Sequence, residues 1–183
     1  VHPNSILLEI EYDDMRKDAL EWLNEEIGIS SEELHETDAY FGPCSFINLI
    51  HQLQLEHTGA DISFAAPLSF ESVIPKGKIT VRDMFNLYRY ENYLYTLRLS
   101  GKEIKDILEL SYDRWTNTMQ SADDHIMKLS YVLNNGQRLG FENLAFNFIS
   151  AAGIRYEVDV TKPFGEKIRI LELNDGRLYL ESP

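Results

Sequence analysis

The sequence is poor in cysteine and in long apolar runs. Cys44 is the single cysteine of 183 residues, so the chain has no internal disulfide and no cysteine pair with zinc-binding spacing. Its neighbours give no reactive-cysteine signature, which predicts a structural thiol. No run approaches the roughly 18 apolar residues that a membrane-spanning helix needs. We therefore expect no membrane insertion.

Basic residues are also in the minority. Lysine and arginine number 17 against 30 aspartates and glutamates, which gives a formal net charge of −13 at pH 7. The sequence pI is about 4.7. A field of this sign repels polyanions, so we expect no nucleic-acid polymer as a partner. A small nucleotide stays compatible with the sequence, because one local pocket can override the global field.

Motifs of metal and nucleophilic chemistry are missing. The five histidines form no HxH or HExxH arrangement, and the chain has no GxSxG elbow and no glycine-rich phosphate loop. Asp123-Asp124-His125 is interpreted as a solvated loop rather than a cation site. The sequence therefore predicts neither a metal site nor a complete catalytic centre within this chain.

The first two predicted helices lie in the N-terminal third. Asp13 or Asp14 can cap a helix that stops at Gly28, after a short apolar segment over 6–10. Apolar residues at helical spacing predict a second helix from Phe46 to His57, ended by Gly59. Residues 1–28 are thus interpreted as a leading segment with a connecting helix, and 29–183 as one domain.

The stretch from Ile79 to Trp115 carries the densest signal. Thr80 with Asp83 resembles a capping box and predicts a helix to about Tyr88. The alternation over 93–99 (YLYTLRL) predicts a strand with one well-buried face. The capping box of Ser100 and Glu103 predicts a further helix that reaches Trp115.

Strand signals dominate the final third. Asp61–Ala66 reads as a buried strand, and 154–160 alternates clearly. Ile168–Leu173 is expected to pair with 177–180 across Asn-Asp-Gly, a strong hairpin signal. Because helices come first and paired strands later, the predicted fold class is α+β with a mixed sheet packed against helices.

A cluster of tyrosines is the clearest candidate for ligand binding. An aromatic ring on a rigid loop can stack on a base, and the amide of Asn92 can read a base or ribose edge. The alternative is that all the tyrosines belong to the core or to a sheet face. Tyr90 is the ring most expected to escape the core, because it precedes the strand pattern. The cluster comprises Tyr88, Tyr90, Tyr93 and Tyr95.

Three segments together carry a family resemblance. They are DISFAAPLSF, GKITVRDMFNLYRYENYLYTLRLSGKEIKDILE and FNFISAAGIRYEVDVTKPFGEKI. In this order they resemble the C-terminal domain of the 5′-nucleotidase family of metallophosphoesterases. The similarity is greatest to the 2′,3′-cyclic-nucleotide 2′-phosphodiesterase/3′-nucleotidase branch, and it extends over about 15–180.

The resemblance implies a role and partners. Residues 29–183 would be a substrate-recognition domain that binds a small-molecule nucleotide or nucleoside. An N-terminal metallophosphoesterase domain of the same parent chain, absent here, would hold a pair of divalent metals. The parent would be a nucleotide phosphohydrolase, periplasmic or otherwise extracytoplasmic, and this fragment alone would be inactive. The rival interpretation is a non-catalytic protein-interaction domain that retained the fold.

The resemblance also places the site residues. It implies that Tyr90 stacks on the base and that Asn92 makes a polar contact with it. The backbone at Ala152 and Gly153 would border the base. The run that ends at Phe70, a further candidate contact, lacks the asparagine and arginine of 5′-nucleotidases proper, which favours the cyclic and 3′-nucleotide branch.

One family element is expected to be missing. Family domains continue past the hairpin to a segment that brings a second stacking aromatic, whereas this sequence stops at 181–183. The domain is therefore expected to be truncated at its C-terminus. Its affinity for a free nucleoside is expected to be weak.

Overall fold

The computed structural model describes residues 3–68, 72–88, 90, 92–131 and 139–173. They divide into two units, one of Val1–His35 and Ser72–Glu91 and the other of Glu36–Glu71 and Asn92–Pro183. In chain order the helices and strands are α1 (Pro3–Leu23), β1 (Glu26–Ser30), β2 (Leu34–His35), α2 (Ser45–Thr58), β3 (Ser63–Ala65), β4 (Val73–Ile74), β5 (Gly77–Thr80), α3 (Val81–Leu87), α4 (Gly101–Trp115), β6 (Leu129–Tyr131), β7 (Leu139–Phe141), β8 (Ser150–Ala152), β9 (Ile154–Val158) and β10 (Ile168–Leu173).

Unit 1 is built on two short antiparallel strand pairs. Strand β1 pairs with β5, and β2 pairs with β4. Helix α3 begins after Thr80, whose N–H and hydroxyl both donate to the Asp83 carboxylate at 2.7 and 2.8 Å, as the sequence predicts. Trp22 meets Phe85 edge to face, with ring centroids 5.9 Å apart.

The predicted start and end of the first helix are wrong. Helix α1 spans Pro3–Leu23 and so already includes the residues before Asp13. Asp13 does not cap the helix but lies inside it, where its carboxylate pairs with Arg16 and Lys17, each at 2.8 Å. Gly28 does not end the helix either, because it lies in β1 opposite Ile79.

Unit 2 packs two helices against strand pairs. Strand β3 pairs with β8, and β9 pairs with β10, in both cases antiparallel. One hydrophobic cluster of α4, β9 and β10 comprises Ile104, Leu108, Ile154 and Ile168. A second, aromatic cluster comprises Tyr40, Trp115, Met127, Ala145 and Phe148. Helix α4 contributes to both clusters and is the central element of the unit.

The sequence signals for α2 and α4 are confirmed. Helix α2 ends at Gly59, which adopts the left-handed conformation with φ of 65°. Helix α4 starts at the Ser100–Glu103 capping box, in which the Ser100 N–H donates to the Glu103 carboxylate at 2.7 Å. The Glu103 N–H donates back to the Ser100 hydroxyl at 3.3 Å.

The strand predicted over 93–99 is wrong. The segment is extended, but none of the described strands pairs with it. Neither of its faces is buried, since Tyr93 is 85% exposed and Leu97 71% on one face, and Leu94 is 47% exposed on the other. Alternation of apolar and polar residues is compatible with any extended backbone. The pattern therefore predicted the extended conformation of 93–99 correctly, but it wrongly implied a neighbouring strand. We call residues 93–99 the free segment.

The fold class is α+β, as predicted. Every strand pair among the described residues is antiparallel, so the parallel component of a mixed sheet is not found among them. The predicted partner strand of β10, over 177–180, lies outside the described residues.

Candidate functional site

The tyrosine cluster is on the surface and not in the core. Tyr88 is 39% exposed and Tyr90 is 53% exposed, both in unit 1. Tyr93 and Tyr95, in unit 2, are more exposed still, and their rings meet edge to face with centroids 6.5 Å apart. The alternative of four buried tyrosines therefore does not hold.

Asn92 directly precedes the free segment, which lines a groove. Asn92 is exposed and is the first residue of this part of unit 2. Leu94 to Leu99 form one wall of a cavity of about 610 Å³, and the chain from Thr58 to Phe64 forms the other. The wall residues are mainly apolar, with Arg98 and Asp61 as charged members. We call this cavity the groove.

Ala152 and Gly153 lie against the far side of one groove wall. Ala152 is opposite Ser63 in the pairing of β3 with β8. Gly153 has φ of +90°, and a Cβ built on it would lie 2.0 Å from the carbonyl oxygen of Asp61. Only glycine permits both this backbone conformation and this close approach. The structure thus joins Ala152 and Gly153 to the Asp61–Ser63 segment of the groove.

The other predicted contacts are distributed as follows. Tyr90 belongs to unit 1, whereas Asn92, Ala152 and Gly153 belong to unit 2. Phe70 lies outside the described residues. The roles of all five residues in binding stay predictions.

A buried histidine network was missed by the sequence reasoning. His51 is 3% exposed, and its Nδ1 and Nε2 lie 2.9 Å from Ser63 Oγ and 3.1 Å from Ser150 Oγ. The Ser63 hydroxyl donates to Gln54 Oε1 at 2.5 Å. The sequence indicates the burial of His51 only by its spacing: it follows Ile47 by one helical turn and is adjacent to Ile50, so it lies near the apolar face of α2.

The network determines the tautomer of His51. Because the Ser63 hydroxyl proton goes to Gln54, Ser63 Oγ accepts from His51, which places the imidazole proton on Nδ1. Nε2 is then an acceptor and lies 3.1 Å from the Ser150 hydroxyl, which is also 3.4 Å from the Ala65 carbonyl oxygen and can donate to only one of the two. Burial lowers the pKa of His51 to about 4 from its ordinary value of 6.5. His51 is therefore neutral and joins α2 to β3 and β8.

Acid is expected to destabilise the fold through His51. Between pH 6.5 and about 4 the unfolded chain protonates this histidine and the folded chain does not. The contribution of His51 is complete above pH 6.5 and is lost as the pH falls through this window, by about 3 kcal/mol. Urea unfolding at several pH values measures the free energy of unfolding.

The control is His57, an exposed histidine on the same helix. In His57→Gln the loss of stability between pH 6.5 and 4.5 should equal that of the parent chain. In His51→Gln the free energy of unfolding should fall less over the same pH range, because the protonation of His51 no longer contributes to the fall. An equal loss in His51→Gln and the parent would contradict the assignment.

The described residues contain neither a metal-binding cluster nor a membrane-spanning helix. No group of three or more His, Cys, Asp or Glu side chains in this part of the chain could hold a metal ion. Asp124 instead accepts from the N–H groups of Gln120 and Ser121 at 2.6 and 2.9 Å, and these bonds lower its pKa. Within the same part of the chain, no helix combines the length and the apolar content required to cross a membrane.

Comparisons with known proteins agree on one family. Over 107 residues the chain is 31% identical to the trifunctional nucleotide phosphoesterase protein YfkN of Bacillus subtilis, which covers 57% of this chain and 7% of the relative. Over 97 residues it is 35% identical to the 2′,3′-cyclic-nucleotide 2′-phosphodiesterase/3′-nucleotidase of Salmonella typhimurium. This match covers 53% of this chain and 13% of the relative. This chain thus spans a small part of the length of these relatives.

A solved structure shares the fold, and a family model matches most of the chain. A 5′-nucleotidase structure from Staphylococcus aureus superposes with a TM-score of 0.65 at 21% identity, covering 93% of this chain and 32% of that one. The family model of the 5′-nucleotidase C-terminal domain matches residues 26–182. The chain therefore belongs to the 5′-nucleotidase C-terminal domain family, which is found in nucleotidases and nucleotide phosphodiesterases.

Proposed function

We propose that this domain recognises the nucleoside part of a nucleotide for a metal-dependent phosphohydrolase. Membership of the family supports this, because the relatives are named for reactions on nucleotides. Catalysis would belong to an N-terminal metallophosphoesterase domain with a pair of divalent metals. The residues described here do not fit such a metal site, so no chemical step is assigned to them.

The proposed recognition rests on an exposed aromatic ring. Tyr90 is 53% exposed, and an accessible tyrosine ring can stack on any of the nucleic-acid bases. Asn92, exposed at the start of unit 2, would hydrogen-bond the base edge. The backbone at Ala152 and Gly153 would border the ligand, and Phe70 would be a further contact.

Location and substrate branch belong to the same proposal. The resemblance to the cyclic and 3′-nucleotide branch supports 2′,3′-cyclic nucleotides or 3′-nucleotides as substrates. It also supports an extracytoplasmic location, periplasmic in a Gram-negative cell. The acidic net charge of −13 is consistent with a small ligand in preference to a nucleic-acid polymer.

Replacing Tyr90 with alanine is expected to weaken nucleoside binding. Loss of one stacking ring costs about 1–3 kcal/mol, or about 5- to 150-fold in affinity. In an NMR titration of this chain, adenosine and 3′-AMP should shift the amide resonances of Tyr90 and Asn92, and ribose should not. In an intact phosphohydrolase that contains this domain, Tyr90→Ala should raise KM by the same factor.

Tyr12 provides the matched control. It is 54% exposed, as Tyr90 is, and lies on α1 of the same unit. Tyr12→Ala should leave both the shifts and KM unchanged, and neither variant should lose fold stability. If Tyr90→Ala binds adenosine as the parent does, Tyr90 is not the stacking residue.

A protein-interaction domain is the second candidate. The free segment favours it, because an extended and exposed stretch that pairs with no described strand can pair with a peptide strand. A partner would then protect the amides of 93–99 from hydrogen exchange, and nucleosides would not shift Tyr90 or Asn92. The titration described above separates the two functions.

A further inference from the structure

Unit 2 contains a second cavity, separate from the groove. Its volume is about 450 Å³, within the roughly 300–1,000 Å³ of small-molecule sites. Its buried walls include Tyr40, His51, Trp115 and Met127, and the exposed ring of Phe41 lies at its mouth. No residue of the free segment lines it. We call it the aromatic cavity.

The rings of the aromatic cavity are held rigidly. Tyr112 stacks on one side of Trp115 with centroids 4.9 Å apart and an interplanar angle of 18°. Phe148, which is outside the cavity lining, supports Trp115 by stacking on it at 5.4 Å and 3°. Tyr40 meets Trp115 edge to face at 6.5 Å. Such a packed set of rings provides an apolar surface of defined shape without further ordering on binding.

Two phenols on the cavity wall leave one proton without an acceptor. Tyr112 and Tyr156 both line the cavity, and their hydroxyl oxygens are 3.0 Å apart. Only one of the two hydroxyl protons can lie in that hydrogen bond. Tyr156 Oη also accepts from the N–H of Ala151 at 3.3 Å. The other phenolic proton has no acceptor among the described residues.

A second donor of the same wall is also unpaired. Trp115 Nε1 is buried and has no hydrogen-bond partner in the described part of the chain. A buried donor without an acceptor is unfavourable, because nothing repays its desolvation. Tyr112 and Tyr156 are half-buried, so a ligand that brings an acceptor oxygen would replace solvent as the partner of the free phenolic proton.

The charge of the cavity favours a neutral ligand, because the described residues that line it include no carboxylate to pair with a cation and no unpaired cation to bind an anion. Arg155, at its edge, is paired with Glu172 at 2.8 Å, so its cation is already compensated. The net charge of −13 disfavours anions in general. We infer that the aromatic cavity binds a neutral, ring-containing small molecule whose carbonyl oxygen accepts the free phenolic proton of the Tyr112–Tyr156 pair.

A pair of isosteric probes tests this site. Acetophenone carries a carbonyl oxygen, and α-methylstyrene has a methylidene group in its place. In Trp22→Phe the single indole N–H signal in the NMR spectrum is that of Trp115, since the chain has two tryptophans. Acetophenone should shift this signal to saturation and bind about ten-fold more tightly than α-methylstyrene, as one neutral hydrogen bond predicts.

Variants then identify the donor. In Tyr112→Phe/Tyr156→Phe the ratio of the two affinities should fall from about ten to about one, with α-methylstyrene binding unchanged. Tyr93→Phe, exposed and outside the cavity, should keep the ratio at about ten. Equal binding of both probes to the parent chain, or no shift of the Trp115 signal with either, would overturn the inference. The parent comparison decides even if the double variant does not fold.

Discussion

Replacing Glu109 with alanine is expected to lower the free energy of unfolding by about 3–5 kcal/mol, because three backbone donors would lose a charged acceptor at about 1–3 kcal/mol each. Glu109 lies on α4 and is 2% exposed. Its carboxylate accepts from the N–H groups of Gly165, Lys167 and Ile168 at 2.9, 3.2 and 2.7 Å. Without it, these donors at the start of β10 would lose their acceptor.

Urea unfolding of the variant measures this effect. Asp106→Ala is the matched control, since Asp106 is an exposed acid on the same helix whose carboxylate forms an exposed ion pair with Lys102. Exposed ion pairs contribute little, so Asp106→Ala should behave nearly as the parent. Equal stability of the Glu109 and Asp106 variants would show that the carboxylate of Glu109 does not hold β10.

Replacing Gly153 with alanine is expected to cost about 2–5 kcal/mol. About 1–2 kcal/mol comes from placing a side chain on a backbone with positive φ. About 1–3 kcal/mol comes from overpacking, because the new Cβ would lie 2.0 Å from the Asp61 carbonyl oxygen. Neither the new Cβ nor the Asp61 carbonyl oxygen can move by side-chain rotation. The clash can therefore be relieved only if the backbones of β3 and β8 move apart.

Gly165 separates the two contributions. It has the same φ of +90°, but a Cβ there meets nothing within 4 Å. Gly165→Ala should therefore lose only the conformational part, about 1–2 kcal/mol. Thermal and urea unfolding of both variants give the difference. If the two variants lose equal stability, the close approach at Gly153 does not matter.

Local signals predicted the helices of unit 2 well. The capping box of Ser100 and Glu103 fixed the start of α4, and Gly59 marked the end of α2. These signals work because the hydrogen bonds involved join residues close in the chain. The start of α1 was misplaced because Asp13 can serve equally as a cap or as a partner of Lys17.

Partners distant in the chain could not be predicted. The alternation over 93–99 matched a half-buried strand, yet the pattern contains no information on whether another strand lies beside it. Glu109 and His51 have ordinary sequence surroundings, and only the fold brings them to Gly165 and Ser150. A buried polar residue is invisible until its distant partner is known.

The candidate site shows the same division. The exposure of Tyr90 was expected, because that tyrosine precedes the strand pattern. The contact between Gly153 and Asp61 needs the pairing of β3 with β8, which joins residues about 90 positions apart in the chain. The resemblance named Gly153 for the ligand, whereas the structure gives it a separate reason to be glycine.

The interleaving of the two units has a consequence for biosynthesis. The chain leaves unit 1 after His35, returns to it at Ser72 and leaves it again after Glu91. Strands β1 and β2 therefore emerge from the ribosome long before their partners β5 and β4, with α2 and β3 of the other unit made in between. Unit 1 can form only after the segment 36–71 has been synthesised and its two ends have come together. A nascent chain that ends between 36 and 90 therefore contains neither unit whole.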